Sequence, residues 1–398
     1  MKANCESTRD HSRLNRRSFV AQGGGAILAG VSGGFSSFPF EAGQRAAITA
    51  RAPNIISRSL IFRHPACDPY DRENRHGFNH APSVTMLSDG RLLAAWFSAP
   101  FEASVQQVIL ASSSLDGGVS WTPAEVLQDS PRLSDFDPAF IADGRRTWFF
   151  FSAGRWIRWP FLRDEKNQVG VNSYRTYSRY SDDSGRTWSA PQVAGSKMFC
   201  RSNGIRLSTG ELLLPVYFDV GDSASVLKSS DGGATWSVRG KVTTPERKEA
   251  DEPSIAELNS GGIMMVLRTG DGHLWRSISR DKGDTWLTPE KTGLAAVNSS
   301  HILFRLQDGR LLLTHNPSPS HRTPLTMRVS DDDGRTWGEP LTLAEVPIPG
   351  PDEEVWNRQV SYPSVSQLRD GTVIVVWTKI FLSDAEQYGD IHSARIRV

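Results

Sequence analysis

Three things are scarce in this 398-residue chain, and each scarcity closes off a class of protein. Charge of one sign is not in excess: 45 Lys and Arg face 44 Asp and Glu, for a formal net charge of +1. An electrostatic nucleic-acid binder needs a basic surplus, so no nucleic-acid partner is expected. Cysteine occurs three times, at Cys5, Cys67 and Cys200, too few for a disulfide-built fold. No glycine-free run approaches the ~20 apolar residues of a membrane-spanning helix, so no membrane span is expected either. What is plentiful is Gly (34), Pro (23) and Trp (12), without long helical periods. That balance predicts an all-β chain with many turns. The length would otherwise suggest two or three domains, but β architectures often run longer as one unit.

The first segment reads as an address. Residues 1–18 are polar and basic and lead into Asn15-Arg16-Arg17-Ser18-Phe19-Val20, followed by a glycine-rich, weakly apolar run from Ala21 to about Phe35. An arginine pair with an apolar residue two positions later and a mild apolar stretch resembles a twin-arginine export signal. The expected division is residues 1–50 as signal and linker and residues 51–398 as one domain, exported to the periplasm or beyond. Cys67 and Cys200 would then either pair or stay as buried thiols.

Two interleaved repeats fill the rest. Ser-x-Asp-x-Gly-x-x-Trp occurs five times, beginning at Ser114, Ser181, Ser229, Ser279 and Ser330, at spacings of 67, 48, 50 and 51 residues. The Asp can accept from turn N–H groups, the Gly can take positive φ, and the Trp can pack the hairpin onto a neighbour. This reads as a structural staple. A calcium loop would need regularly spaced acids and a distal Glu, which are missing. The second repeat is an apolar residue, two variable residues, a Gly and an apolar strand, centred on Gly90, Gly144, Gly210, Gly261, Gly309 and Gly371. Together they predict six four-stranded antiparallel meanders, the pattern of a six-bladed β-propeller. The sixth unit lacks the Ser-Asp-Gly-Trp box and is expected to close the ring with a strand near Ile55–Phe62.

In such a meander the glycine turns and the box turns lie on one face. The opposite face receives the starts of the first strands and the longer loops between second and third strands, so chemistry is sought there. Pro82, Pro253 and Pro363 each stand eight residues before a turn glycine. The residue before the last two is Glu252 and Tyr362, in equivalent positions of two blades. Asp137 precedes Pro138, and His80 stands two before Pro82. The longer loops supply Glu102, Arg268 and Arg322.

At these residues the chain resembles the sialidase (neuraminidase) family over roughly 55–398. The boxes are shared with other secreted propellers. Glu252 followed by Arg268 in EPSIAELNSGGIMMVLR, Arg322 in HNPSPSHRTPLTMRVSDDDG and Tyr362 in SYPSVSQLRDG carry the finer likeness. The resemblance implies a retaining exo-glycosidase for a terminal acidic sugar on a glycoconjugate, with no metal or cofactor. Tyr362 would be the nucleophile and Glu252 its proton acceptor, with Arg268 and Arg322 clamping a substrate carboxylate. A neutral phenol avoids the repulsion a carboxylate nucleophile would meet at a carboxylated anomeric centre. The chain departs from the family in two places. His80 stands where the family has a first clamp arginine, with Arg63 as a possible substitute from another segment. A charged His80 would make the clamp pH-sensitive between about pH 5 and 8. The family's loop Asp, the acid/base, is replaced by Glu102, with Asp137 as the alternative acid. These departures keep two other readings open: a same-fold glycosidase for a uronide or rhamnose-linked sugar, and a carbohydrate-binding propeller without catalysis.

Overall fold

The computed structural model describes residues 52–398, except 66–75, 157–170, 219–222, 246–249, 383–386 and the positions 101, 103, 105, 352 and 354–356. The export segment and Cys67 fall outside the described residues.

Six antiparallel sheets form a β-propeller, and no α-helix occurs among the described residues. The innermost strands are Phe78–Met86, Ser134–Asp143, the broken pair Met198–Cys200 and Ile205–Arg206, Asp251–Glu257, Ile302–Arg305 and Arg358–Gln367. Each is followed outward by the rest of its meander. The last blade is completed by Asn54–Phe62, which pairs antiparallel with the C-terminal strand Gln387–Arg397 from Asn54↔Arg397 to Phe62↔Ile391. The predicted ring closure is therefore present, and it removes an edge that would otherwise be open to pairing.

The boxes are used as staples. In the first, Asp116 accepts from the N–H of Val119 (3.0 Å) and Ser120 (2.9 Å) and from the Ser114 and Ser120 hydroxyls, and Ser114 Oγ accepts from Gly118 N–H. Asp183, Asp231, Asp281 and Asp332 repeat the pattern. These bonds hold the carboxyl of Asp116 at a pKa of about 2. The box glycine also faces the preceding blade. A Cβ on Gly233 of blade 3 would lie 1.9 Å from the Trp148 ring of blade 2, and Gly118 of blade 1 sits against Ile374 of blade 6. The apolar core is correspondingly divided into clusters between neighbouring blades, such as Ile141, Trp148 and Phe150 of blade 2 with Leu212, Leu214 and Leu227 of blade 3. A separate aromatic cluster, Phe78, Phe97, Phe136, Tyr174, Phe199 and Tyr362, gathers residues of blades 1, 2, 3 and 6 at the channel.

Candidate active site at the channel mouth

Proline has no N–H for the ladder, so a proline inside an inner strand forces a local break. Four inner strands carry one, and each shows a register shift there: between His80 and Ser83, Phe136 and Ala139, Asp251 and Ser254, and Ser361 and Ser364. The residue before the proline takes a left-handed conformation in every case, with φ of 55° at Ala81, 53° at Asp137, 41° at Glu252 and 57° at Tyr362. Such backbone is strained for residues with a Cβ, and bulges of this kind re-aim a side chain out of the pleat. Three of the four aimed residues, Asp137, Glu252 and Tyr362, are those the sequence singled out.

Glu252 and Tyr362 meet. The Tyr362 hydroxyl donates to Glu252 Oε1 at 3.1 Å and accepts from Arg268 Nη1 at 3.1 Å. Arg268 Nη1 also forms an ion pair with Glu252 Oε2 at 2.7 Å. Glu252 is 5 % exposed, and burial alone would raise its pKa. The adjacent Arg268, with Arg201 and Arg322, overcomes that and holds it below the usual carboxylate value. The Tyr362 phenol is pushed up to about 12 by burial and by Glu252. A neutral phenol thus hydrogen-bonds an ionised carboxylate.

Arg322 lies against the same ring, its guanidinium carbon 5.5 Å from the Tyr362 centroid. Its Nε and Nη2 donate to the Asn298 carbonyl (3.2 and 2.8 Å) and its Nη1 to Gln359 Oε1 (3.0 Å). The Asn298 amide oxygen accepts from Arg268 Nε. One asparagine therefore orients both arginines. By donor count, hydrogens on Arg268 Nη2 and on Arg322 Nη1 and Nη2 remain for an anionic ligand.

Asp137 is buried and accepts from the Tyr217 hydroxyl at 3.4 Å. Burial raises its pKa to about 7, Glu252 and Glu102 adding to the rise while Arg201 opposes it. Glu102 is exposed on its loop, near enough to raise both Asp137 and Tyr362.

Two expectations need correction. His80 does join the site, its ring 4.1 Å from that of Tyr362. It does not act as a cation near neutral pH: burial, then Arg322, Arg201 and Arg268, press its pKa well below 6.5, which favours the neutral imidazole. Arg63 is exposed just past the outermost strand of the last blade, beside His392, and is not part of the cluster. Cys200 is a free, buried thiol whose Sγ contacts the Asp137 carbonyl at 3.2 Å.

The sequence reading missed Arg201, Asn298, Gln359 and Tyr217. Arg201 was within reach. It stands nine residues before Gly210, the offset of Ala81, Glu252 and Tyr362 from their own glycines. Ser202 follows it where those blades have proline, so the proline signal is absent from this blade. Asn298 and Gln359 carry no comparable repeat position.

Fold and site together define a class: a six-bladed propeller whose channel mouth carries a tyrosine–carboxylate pair among arginines. The comparisons agree on the fold and the family. Residues 90–375 match the BNR repeat-like domain family, and the chain belongs to it as a sialidase-family propeller. A sialidase of Micromonospora viridifaciens is 25% identical over 337 residues, which is 75% of this chain and 50% of that protein. The chain thus spans half the length of that relative. Among solved structures, a Hadza microbial sialidase superposes with a TM-score of 0.65 at 20% identity, covering 81% of this chain and 66% of that one. The intramolecular trans-sialidase from Ruminococcus gnavus gives a TM-score of 0.65 at 16% identity, covering 85% and 97%. At that identity the structural likeness speaks for the fold.

Proposed function

We propose that this chain is an exported exo-glycosidase that releases a terminal acidic sugar, of the sialic acid type, from glycoconjugates with retention of configuration. The observation that carries the reading is the three-way contact of Tyr362, Glu252 and Arg268. In the first step Tyr362 Oη bonds to the anomeric carbon as the glycosidic C–O bond breaks. The phenol proton passes to Glu252, already hydrogen-bonded and ionised. The leaving oxygen takes a proton from an acid, and Asp137 suits that task because its proton is still held near neutral pH. Water then attacks the same carbon, the aryl glycosidic C–O bond to Tyr362 breaks, and the proton on Glu252 returns to the phenolate while a carboxylate on the acid side accepts one from water. Arg268 and Arg322 take the sugar carboxylate through their unassigned hydrogens. Relatives named sialidases support the substrate class. The export reading rests on Arg16-Arg17 and is tested by fractionating cells that carry Arg16→Lys with Arg17→Lys, which should retain the protein in the cytoplasm.

The functional test is hydrolysis of 4-nitrophenyl glycosides of sialic acid, a uronic acid and rhamnose. The sialoside should be cleaved, Tyr362→Phe should abolish turnover while the sugar still binds, and Glu252→Gln should slow it by about 10²-fold or more. Full activity of Tyr362→Phe would remove the tyrosine mechanism, and cleavage of the rhamnoside alone would replace the substrate.

A further inference from the structure

Arg201 is a large side chain that the mechanism above leaves without a task. It is 1 % exposed and belongs to the largest fully buried side chains among the described residues. It lies where the innermost strand of blade 3 breaks between Met198–Cys200 and Ile205–Arg206. Its guanidinium reaches across the channel to two other blades: Nη1 and Nη2 donate to the Pro82 carbonyl of blade 1 (3.5 and 3.4 Å), and Nη2 donates to the Tyr362 carbonyl of blade 6 (3.2 Å). The guanidinium carbon sits 5.1 Å from the centroid of the Tyr362 ring.

We propose that Arg201 is a positioning residue, which grips the backbone and the ring of Tyr362 from beneath and sets the direction in which its hydroxyl faces the channel. The proposal rests on the reading of Tyr362 as nucleophile. Both accepting carbonyls belong to bulges: the register skips Ala81 and Pro82 in blade 1 and Tyr362 and Pro363 in blade 6. Those carbonyls need a donor from elsewhere, and a planar fork can serve two at once. Among the described residues no carboxylate lies within ion-pair distance of Arg201, so it is not the half of a salt bridge that Arg268 is. An apolar side chain of the same volume would fill the space without burying a charge. What the charge adds is directed donors, a cation against the ring face, and a field felt by several groups around it. His80, Asp137, Glu252, His301 and Cys200 all sense Arg201; His80 and Glu252 also sense Arg268 and Arg322, and His301 also senses Arg268. Its burial separates it from the two clamp arginines, which keep hydrogens for a ligand. Arg201 serves the tyrosine and does not touch the sugar.

The test compares Arg201→Met and Arg201→Lys with the unmodified chain, using 4-nitrophenyl sialoside for kinetics and 3-fluorotyrosine labelling for the ring. The Tyr362 fluorine resonance is assigned by its loss in Tyr362→Phe. In Arg201→Met, kcat should fall by about 10²-fold, the scale of a misplaced reacting group, with KM within about 3-fold. The Tyr362 resonance should shift or broaden in the absence of sugar, and Arg201→Lys should lie between. A KM rise of tenfold with kcat intact would overturn the proposal by making Arg201 a sugar ligand. A folded Arg201→Met with unchanged kcat and resonance would overturn it outright. Should Arg201→Met fail to fold, Arg201→Lys carries the same two criteria. Should the unmodified chain cleave none of the glycosides, the enzymatic reading falls, and the fluorine spectrum alone still decides whether Arg201 holds Tyr362.

Discussion

Asp137 and Glu252 are both buried carboxyls at one channel mouth; burial raises Asp137, while at Glu252 the arginines overcome the same effect. Glu252 has Arg268 at 2.7 Å and stays ionised, whereas Asp137, among the described residues, has only the Tyr217 hydroxyl at hydrogen-bond distance of its carboxyl and keeps its proton up to about pH 7. Environments that separate two titrating groups in this way assign the base and the acid. The direction of the pH dependence follows. An acid must be protonated to act, so kcat/KM on a substrate with a poor leaving group should fall as pH climbs through about 7. In Asp137→Asn that alkaline limb should vanish, with a loss of about 10²–10⁴-fold, and an aryl glycoside, whose leaving group needs less help, should lose less. A limb that persists in Asp137→Asn and disappears in Glu102→Gln would move the acid to the loop. His80 should contribute nothing to this alkaline limb, since burial and the three arginines hold its pKa well below 6.5.

At the scale of the element, the box turn is also the contact between blades. Gly233 has φ of 88° and leaves no room for a Cβ against Trp148, whose ring packs edge-on to Trp236 at 5.7 Å. Gly233→Ala should destabilise by about 2–4 kcal/mol, summing an overpacked contact and a left-handed backbone. Gly261 has φ of 81° but nothing within 4 Å of a built Cβ, so Gly261→Ala should show only the backbone part, about 1 kcal/mol. Equal losses in thermal melts would mean the Trp148 contact yields freely. Blade 5 holds a different feature, the buried His301 and His315, whose ring nitrogens have no side-chain hydrogen-bond partner. Burial depresses them to about 4 and 3. A depressed histidine is neutral in both folded and unfolded chains above about 6.5; below that the unfolded chain gains a proton that the folded one refuses. Each therefore withdraws roughly 2 kcal/mol of stability between pH 6.5 and pH 5. Asp135 and Asp137, raised to about 7, act with the opposite sign over the same range. The histidine share is thus read as a difference: relative to the unmodified chain, His315→Gln should gain about 2 kcal/mol as pH falls from 6.5 to 5. A parallel pair of stability curves would contradict a buried neutral His315.

For the molecule as a whole, closure of the ring depends on one outer strand. Asn54–Phe62 covers the edge of Gln387–Arg397, and Arg58 donates to the Leu343 carbonyl of blade 5 at 3.4 and 3.3 Å. Removing residues 1–62 would expose the C-terminal strand along its length and unlink blade 6 from blade 5 on the outside. The shortened chain should melt at a markedly lower temperature and self-associate through the open edge, as read by calorimetry and size-exclusion chromatography. A monomer with the original melting temperature would show that the inner strands alone hold the ring.

Repetition made the fold legible. Five boxes and six glycine turns are short-range patterns, and their chemistry closes within four residues, as when Asp116 caps Ser120. Counting them was enough to establish the blades, the faces and the pairing of the first strand with the last. The offset from each turn glycine also placed Tyr362 and Glu252 at equivalent points of two blades, and proline in the strand explains why those points turn into the channel. What the tertiary structure alone decided was the charge state and company of each group. Tyr362 and Glu252 are 110 residues apart, and the arginines that join burial in lowering the His80 pKa come from blades 3, 4 and 5. Arg201, Asn298 and the withdrawal of Arg63 from the site follow from how the blades meet across the channel. Desolvation and Coulomb interaction depend on distance in space, and no local pattern in the chain encodes that distance.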